Sequence, residues 1–381
     1  MVTEYREQKP KTKAVVTFLI GNGFDLGLGL RTQYKDFLSV YLGSLNGSSV
    51  IRELKSNIKN DIDSWGDAEL AFGKLPFSSF STDSHSAVNE CIADFSNALS
   101  EYLRAEAMRF QTPDDKLKSI FSQGLFSYYC ALGEYSKRNE LARLSRFQTL
   151  KINIISFNYT EVIDKMLVQS GHMNLPDWGQ VEVEISPILH VHGALSTRYS
   201  RLFGVNDISQ VEDKNLNDKT KKLLVKSIID RMAGCGLEPV AKSMIDESDS
   251  VIVFGMSLGA TDRIWWNYLF DQIRRKPDKR LFLSPYVDCQ RGAASLPEEA
   301  EWADIERQRF YGAVGGQEKS YVTIDQLDHR INVFVRGPYF DPDGHQVFCD
   351  PFQLSWLGQR LVPDSIMNGG APNMNVTPHN S

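Results

Sequence analysis

Apolar positions along this chain change period from one stretch to the next. "KAVVTFLI" (13–20) is an unbroken, β-rich apolar run that stops at Gly21, the pattern of a strand buried on both faces. "RTQYKDFLSVYL" follows with Tyr34, Phe37, Leu38 and Tyr41 spaced three and four apart, and Thr32 stands where a helix N-cap belongs. The opening therefore predicts strand, glycine turn and helix, the start of an α/β unit. From 48 to 148 the spacing is helical almost throughout, in "SVIRELKSNIKNDIDSW", "HSAVNECIADFSNALSEYLRAEAMRF" and "LKSIFSQGLFSYYCALGEYSKRN". That segment predicts a helical insertion.

Strand-like runs return in "LKINIISFNYT" (150–160), ahead of the helical "EVIDKMLVQS", and in "VEVEISPILHVHG" (181–193), with "RLFGVND" (201–207) as one more short strand. "NLNDKTKKLLVKSIIDRMAG" and "EPVAKSMIDES" are helical. "DSVIVFGMSLGATDRIWWNYLFDQI" repeats the opening layout, and "KRLFLSPYV", "YVTI" and "INVFVRG" are the later strands. The expected organisation is an α/β core over 1–47 and 149–290, the helical insertion at 48–148, and a C-terminal α/β extension over 291–362. The Pro/Gly/Asn/Ser-rich tail, 363–381, is expected to be disordered.

Composition narrows the partners. With 381 residues, 42% hydrophobic and 24% charged, the chain has the make-up of a globular protein with a sizeable core. Its net charge of -6, with no Lys/Arg-rich run, argues against nucleic acid and for small ligands or proteins. No stretch approaches the ~20 apolar residues of a membrane span. The N-terminal "MVTEYREQKPKTK" lacks the apolar region of a signal peptide, and the five cysteines are scattered singly. Reduced thiols in the cytoplasm are the expectation.

Four predicted strands end in unusual residues: "GNGFD", "FNYT", "HVHG" and "GMSLGATD". The carboxyl edge of a parallel sheet is where ligands bind, so four such tips point to one crevice. Gly21 and Gly23 allow the tight turn and close approach that a pyrophosphate needs, although a plain tight turn is the other reading. The spacing with Gly27 is looser than the dehydrogenase fingerprint, and no second strand with an acid follows, which speaks against hydride transfer. Asp25 would repel phosphate and suits a sugar hydroxyl or the loop itself. His190 and His192 are two apart on a strand and so share a face. His192, at the strand end, is a candidate base, against a hydrogen-bonded core histidine. A metal would want further ligands, and the other histidines stand in no such pattern. Asn158 can donate and accept toward a ligand or water, or cap the next helix, a task for which Thr160 is at least as well placed. Gly255 and Ser257 can approach a phosphate or ribose, and Asp262 begins a helix whose dipole favours an acid anyway. "SWGDAE" (64–69), with Trp65, Asp67 and Glu69, lies in the helical segment, where a tryptophan is more often core than contact.

This set of tips is similar to the bacteriophage abortive-infection AbiH family. The resemblance rests on G-N-G-F-D at Gly21–Asp25 with Gly29, Thr32, Tyr34 and Phe37, on W-x-D-x-E at Trp65, Asp67 and Glu69, and on F-N-Y-T at Phe157–Thr160. H-x-H-G at His190–Gly193 and G-x-S-L-x-x-x-D at Gly255–Leu258 and Asp262 complete it, so it runs from about residue 15 to 270. The same tips look like a distant variant of the sirtuin layout. That resemblance implies an α/β fold with a doubly wound, mostly parallel sheet, a Rossmann-like variant that takes NAD as substrate and needs no metal. It places Gly21 and Gly23 at phosphate, Asn158 at the nicotinamide ribose, His192 as base, and Gly255 and Ser257 at the other nucleotide half. The implied contact set is Gly21, Asn22, Gly23, Phe24, Asp25, Thr32, Tyr159, Gly255, Ser257 and Asp262, with Asn158 and His192 as the catalytic pair.

The sirtuin aspartate after the asparagine is Thr160 here, so a ribose or nicotinamide contact is either missing or supplied by Asp25, and the lack of a four-cysteine zinc module speaks against deacetylation. The resemblance to bacterial defence proteins with sirtuin-like domains implies NAD hydrolysis in phage defence instead. The pyridinium leaves neutral without protonation, so the site must stabilise an oxocarbenium-like ribose and place one water. An imidazole of pKa near ~6.5 can relay the proton. A phage trigger protein and a second copy of the chain are candidate partners. Two other readings stand beside this one: a nucleotide-sensing module without chemistry, and a metal-dependent hydrolase built on His190, His192 and Asp25 or Asp207.

Overall fold

The computed structural model describes residues 12–44, 47–197, 203–284, 296–314, 327–334, 339–340, 346–347, 352 and 354–362. "YVTI", the whole tail 363–381, Cys289 and Cys349 lie outside the described residues.

The chain is an α/β protein around one mostly parallel sheet. The strands are β1 (Ala14–Ile20), β2 (Thr149–Ser156), β3 (Gly171–Leu175), β4 (Gly179–Ile185), β5 (Leu189–His190), β6 (Ser250–Phe254), β7 (Arg280–Ser284) and β8 (Ile331–Val333). Their order is β3-β4-β2-β1-β6-β7-β8, with β5 continuing the parallel pairing beside β2 after β4 ends. Among the described residues only β3 and β4 pair antiparallel within this sheet, and β9 (Tyr339–Phe340) and β10 (Gln346–Val347) form a separate ribbon.

β1 lies in the middle, and this accounts for its composition. All seven of its residues are buried. Val16, Phe18 and Ile20 enter one core cluster with Ile152, Ile154 and Ile252, while Leu19 joins Ile155, Val251 and Val253 in another. A strand covered on both faces has no solvent side on which to place polar residues, so its run is apolar but for Thr17, whose hydroxyl is hydrogen-bonded to Ser248 and the Met244 carbonyl. Ile20 pairs with Ser156 of β2 and with Phe254 of β6, so three tips finish at one level.

Helices connect and cover the strands. Between β1 and β2 come α1 (Gly23–Gly27), α2 (Tyr34–Tyr41), α3 (Ser49–Asn60), α4 (Ala68–Gly73), α5 (Ser84–Met108), α6 (Asp115–Phe126) and α7 (Glu134–Leu144). Later come α8 (Val162–Met166), α9 (Asp218–Lys222), α10 (Lys226–Ala233), α11 (Leu237–Glu247), α12 (Arg263–Arg275), α13 (Leu296–Ala313) and α14 (Leu354–Leu361). The aromatic spacing seen in α2 and α5 builds a core of its own: Phe37, Trp65, Phe72 and Phe95 pack together with Phe203.

Local readings that failed have local causes. Thr32 is not the cap of α2; Gln33 occupies that position without a side-chain bond, because the Thr32 hydroxyl is drawn to Asn22. Neither Asn158 nor Thr160 caps α8, whose N-cap is Glu161. The described part of 201–207 is not a strand, only a single bridge between Val205 and Val225, and that bridge also splits the lysine-rich helical stretch into α9 and α10. β3, a mostly exposed edge strand with polar positions, carries no apolar signal to predict it.

Candidate active site at the carboxyl edge of the sheet

The tips of β1, β2, β5 and β6 converge on one cavity of about 440 Å³. Gly21, Asn22, Gly23, Asp25, Thr32, Asn158, Tyr159, His192, Gly255, Ser257 and Asp262 all line it. Phe24 does not. It is fully buried in the sheet core, with its ring centroid 5.8 Å from Phe121 and 6.4 Å from Phe254. Consecutive helical residues diverge by about 100°, so Asp25 can face the cavity while Phe24 faces away. The remaining walls bring residues outside the expected contact set: Tyr34 and Lys35 from α2, Asp67 and Glu69 around α4, and Glu306 and Arg309 from α13.

The glycines work differently from a phosphate cradle. Gly21 N–H donates to the Phe254 carbonyl at 2.9 Å and Gly23 N–H to the Gly255 carbonyl at 2.7 Å, so both amides are already engaged. A Cβ on Gly23 would stand 2.5 Å from Gly255 Cα, and Gly255 itself has φ +64°. These residues are glycines so that two loop tips can touch, which in turn fixes the spacing of everything borne on them. Gly255→Ala is expected to cost about 1–3 kcal/mol from its left-handed backbone alone, read as a lower urea midpoint; an unchanged midpoint would mean that the tips are not locked. Asn22 adds a second fastening, donating from Nδ2 to the Thr32 carbonyl at 2.9 Å while its Oδ1 accepts the Thr32 hydroxyl at 2.5 Å.

Asp25 sits at the bottom, 1% exposed. Its Oδ2 accepts the Thr160 hydroxyl at 2.5 Å and its Oδ1 accepts Asn158 Nδ2 at 3.3 Å. Burial raises its pKa to about 6, against the lowering effect of these two hydrogen bonds. Asn158 Nδ2 also donates to the Gly21 carbonyl at 3.2 Å. With both amide hydrogens committed, its Oδ1 is the atom that can receive a ligand hydroxyl or water.

His192 and its neighbours form a charged chain that the sequence did not suggest. Lys226 Nζ, buried at the start of α10, lies 3.2 Å from His192 Nε2 and 2.6 Å from Glu69 Oε2. An ammonium can only donate, so the imidazole meets it with a lone pair and carries its own proton on Nδ1. Burial first, and then the Lys226 charge, hold the His192 pKa well below the usual imidazole value, so the ring is neutral. A base poised near neutrality, as the sequence predicts, is therefore not what the structure contains at this position. The groups that titrate near neutrality are carboxyls: burial pushes Glu69 up to about 7 despite Lys226, and Asp262 up to about 6. Asp67 is fixed by the Thr261 hydroxyl at 2.9 Å and caps α4 through Leu70 N–H at 3.0 Å.

His190 parts from His192. Its Nε2 lies 3.1 Å from Asp164 Oδ2 and its Nδ1 3.1 Å from the Asn158 carbonyl, and it does not line the cavity. Burial disfavours its charged form, but the Asp164 and Asn158 contacts outweigh this and raise its pKa. β5 ends at His190, so the strand alternation that would put both rings on one face stops before His192. Among the described residues no group of three or more His, Cys, Asp or Glu is arranged to hold a metal ion. Asp207 spends its carboxylate capping the turn at Ile208–Gln210.

The family model described as bacteriophage abortive infection AbiH matches residues 17–283. The chain belongs to the AbiH family. The matched span runs from within β1 to within β7 and contains all four strand tips, and the family implies a role in abortive infection of phage. No curated protein matches the chain. In this AbiH protein Glu306 and Arg309 come from α13, beyond the matched residues. No helix among the described residues is long and apolar enough to cross a membrane.

Proposed function

We propose that this AbiH protein acts in abortive infection by hydrolysing NAD to nicotinamide and ADP-ribose, on a doubly wound, sirtuin-like version of the α/β fold. The observation that supports this reading most is the convergence of Asn158, Asp25, Thr160 and His192 with the two glycine tips on a single cavity at the sheet edge. Its volume falls in the range of small-ligand sites. Five carboxyl-bearing residues line it, Asp25, Asp67, Glu69, Asp262 and Glu306, against the cations Lys35 and Arg309. Such a lining favours the end of the dinucleotide that is cationic in the ground state and oxocarbenium-like in the transition state.

In this reading a water held by Asn158 Oδ1 attacks C1′ of the nicotinamide ribose. The C1′–N bond breaks, its electron pair neutralises the pyridinium, and the water's proton passes to ionised Asp25. A carboxylate with pKa about 6 is a competent base near neutral pH. His192 stays neutral and packs edge-on against Phe157, shaping the wall without adding a repelling charge beside the developing cation.

The test is to incubate the full chain with NAD, alone and with phage proteins, and to follow nicotinamide and ADP-ribose. Asn158→Ala is expected to lower turnover by about a hundredfold or more through the lost positioning, and His192→Ala to lower it through the wall it shapes. Turnover unchanged in both variants ends the catalytic assignment. A second reading, a nucleotide-sensing module, draws on the Thr160 hydroxyl, which occupies one Asp25 oxygen. Calorimetry that finds tight NAD binding with no product, phage components included, would favour it.

A further inference from the structure

Glu306 is the odd member of the cavity wall. It is 3% exposed, its Oε1 accepts Arg309 Nη1 at 2.8 Å, and its Oε2 has no hydrogen-bond partner among the described residues. A buried carboxylate oxygen left unpaired is costly, and the cost is removed when a ligand donor fills the place. Arg309, one turn further along α13, is 59% exposed on its side chain and also lines the cavity. Glu306 engages its Nη1, which leaves most of a five-donor fork for an anion. An acceptor for hydroxyl groups and a cation for an anion thus stand three residues apart on one helix, joined by a hydrogen bond that fixes their spacing.

We propose that α13 supplies a ribosyl-phosphate subsite, in which Glu306 Oε2 accepts a ribose hydroxyl and Arg309 binds the adjoining phosphate. A carboxylate is acceptor-only when ionised and matches a sugar diol, whereas the planar guanidinium matches phosphate oxygens. The amides of Gly21 and Gly23 are engaged with the opposite tip, so anion binding in this cavity falls to side chains such as Arg309. The subsite rests on the nucleotide reading above and deepens it: the tips within the matched span face the scissile bond, and α13, outside that span, selects the phosphorylated part of the ligand.

The experiment is calorimetry on the full chain with AMP, adenosine and 2′,3′-dideoxy-AMP, for the native protein, Glu306→Gln and Arg309→Ala, each checked by thermal melting. Arg309→Ala is expected to weaken AMP by on the order of tenfold or more, as for loss of a charged hydrogen bond, and to leave adenosine unchanged. Glu306→Gln should weaken AMP and leave dideoxy-AMP, which lacks the diol, where it was. The proposal is overturned if the native protein does not bind AMP, if neither variant weakens it, or if either variant weakens all three ligands equally. AMP binding with this pattern but no NAD turnover would remove the hydrolase reading and keep the subsite. NAD turnover with AMP affinity untouched in both variants would do the reverse.

Discussion

Asp25→Asn should cut NAD turnover by at least about a hundredfold, the scale of a lost general base, and should also flatten the protein's dependence of stability on pH. Burial raises the Asp25 pKa from 3.8 to about 6. The folded state therefore binds this proton more tightly than the unfolded one, so the stabilisation is complete below about pH 4 and is lost as the pH climbs through 6. A shift of about two units at 1.36 kcal/mol each sets an upper limit of roughly 3 kcal/mol between the two ends of that window. Asparagine carries no titrating proton, so the stability of the variant relative to the native chain should rise by up to that amount between pH 4 and pH 7.5. Glu69 and Asp262 titrate in the same range, but both are present in the two proteins, so the difference isolates Asp25. Urea denaturation at pH 4, 5.5 and 7.5 measures it, and a stability gap that stays constant across those values would contradict the placement of a strained carboxyl here. On the proposed hydrolysis, kcat/KM of the native protein should rise through pH 6 as Asp25 ionises.

That expectation could not have been reached from residue patterns. The β1 run was legible because a central parallel strand must be apolar on both faces, and its tip because glycines and polar residues punctuate it. What Asp25 does depends on Thr160 and Asn158, more than 130 residues away in the chain, whose hydrogen bonds exist only once β1 and β2 pair in register. The same limit applies to the helical walls. Spacing marks 48–148 as helical and Trp65 reads as core, as it is, but nothing in the pattern says that Glu69, four residues on, meets a lysine. Lys226 left no trace at all, since a lysine in a lysine-rich helical stretch reads as solvated. Phe24 shows the opposite limit: the motif reads as one contact surface, although its residues point around a helix.

The two halves of the cavity differ in how they are held, and that difference bears on function. The glycine tips are fastened by backbone hydrogen bonds and close contact, which fix position without charge. The opposite wall is fastened by the ion pair of Glu69 and Lys226 and by the Thr261–Asp67 bond, which tie the helices of the β1–β2 connection to segments that enter the chain much later. Closing the site therefore requires distant parts of the chain to assemble, and its charged wall responds to pH.

Lys226→Met is the substitution that should expose this most strongly. Lys226 is 2% exposed and is the cation beside both Glu69 and His192. Removing it strands a buried carboxylate, a change that typically costs about 3–5 kcal/mol. Glu69 already has a pKa of about 7 with the lysine in place, so without it the carboxyl takes up a proton and escapes part of the penalty at lower pH. The loss should accordingly be largest above pH 8 and shrink toward pH 6. Adding Glu69→Gln to Lys226→Met should recover most of the stability lost at pH 8.5, because a neutral amide leaves no charge to strand. A double-mutant cycle read by urea denaturation at pH 6 and 8.5 measures this directly. Strictly additive losses would show that the two side chains do not depend on one another. The His192 ring, relieved of the neighbouring ammonium, should also titrate at a higher pH in the single variant, and its proton shifts followed by NMR would report that change separately from stability.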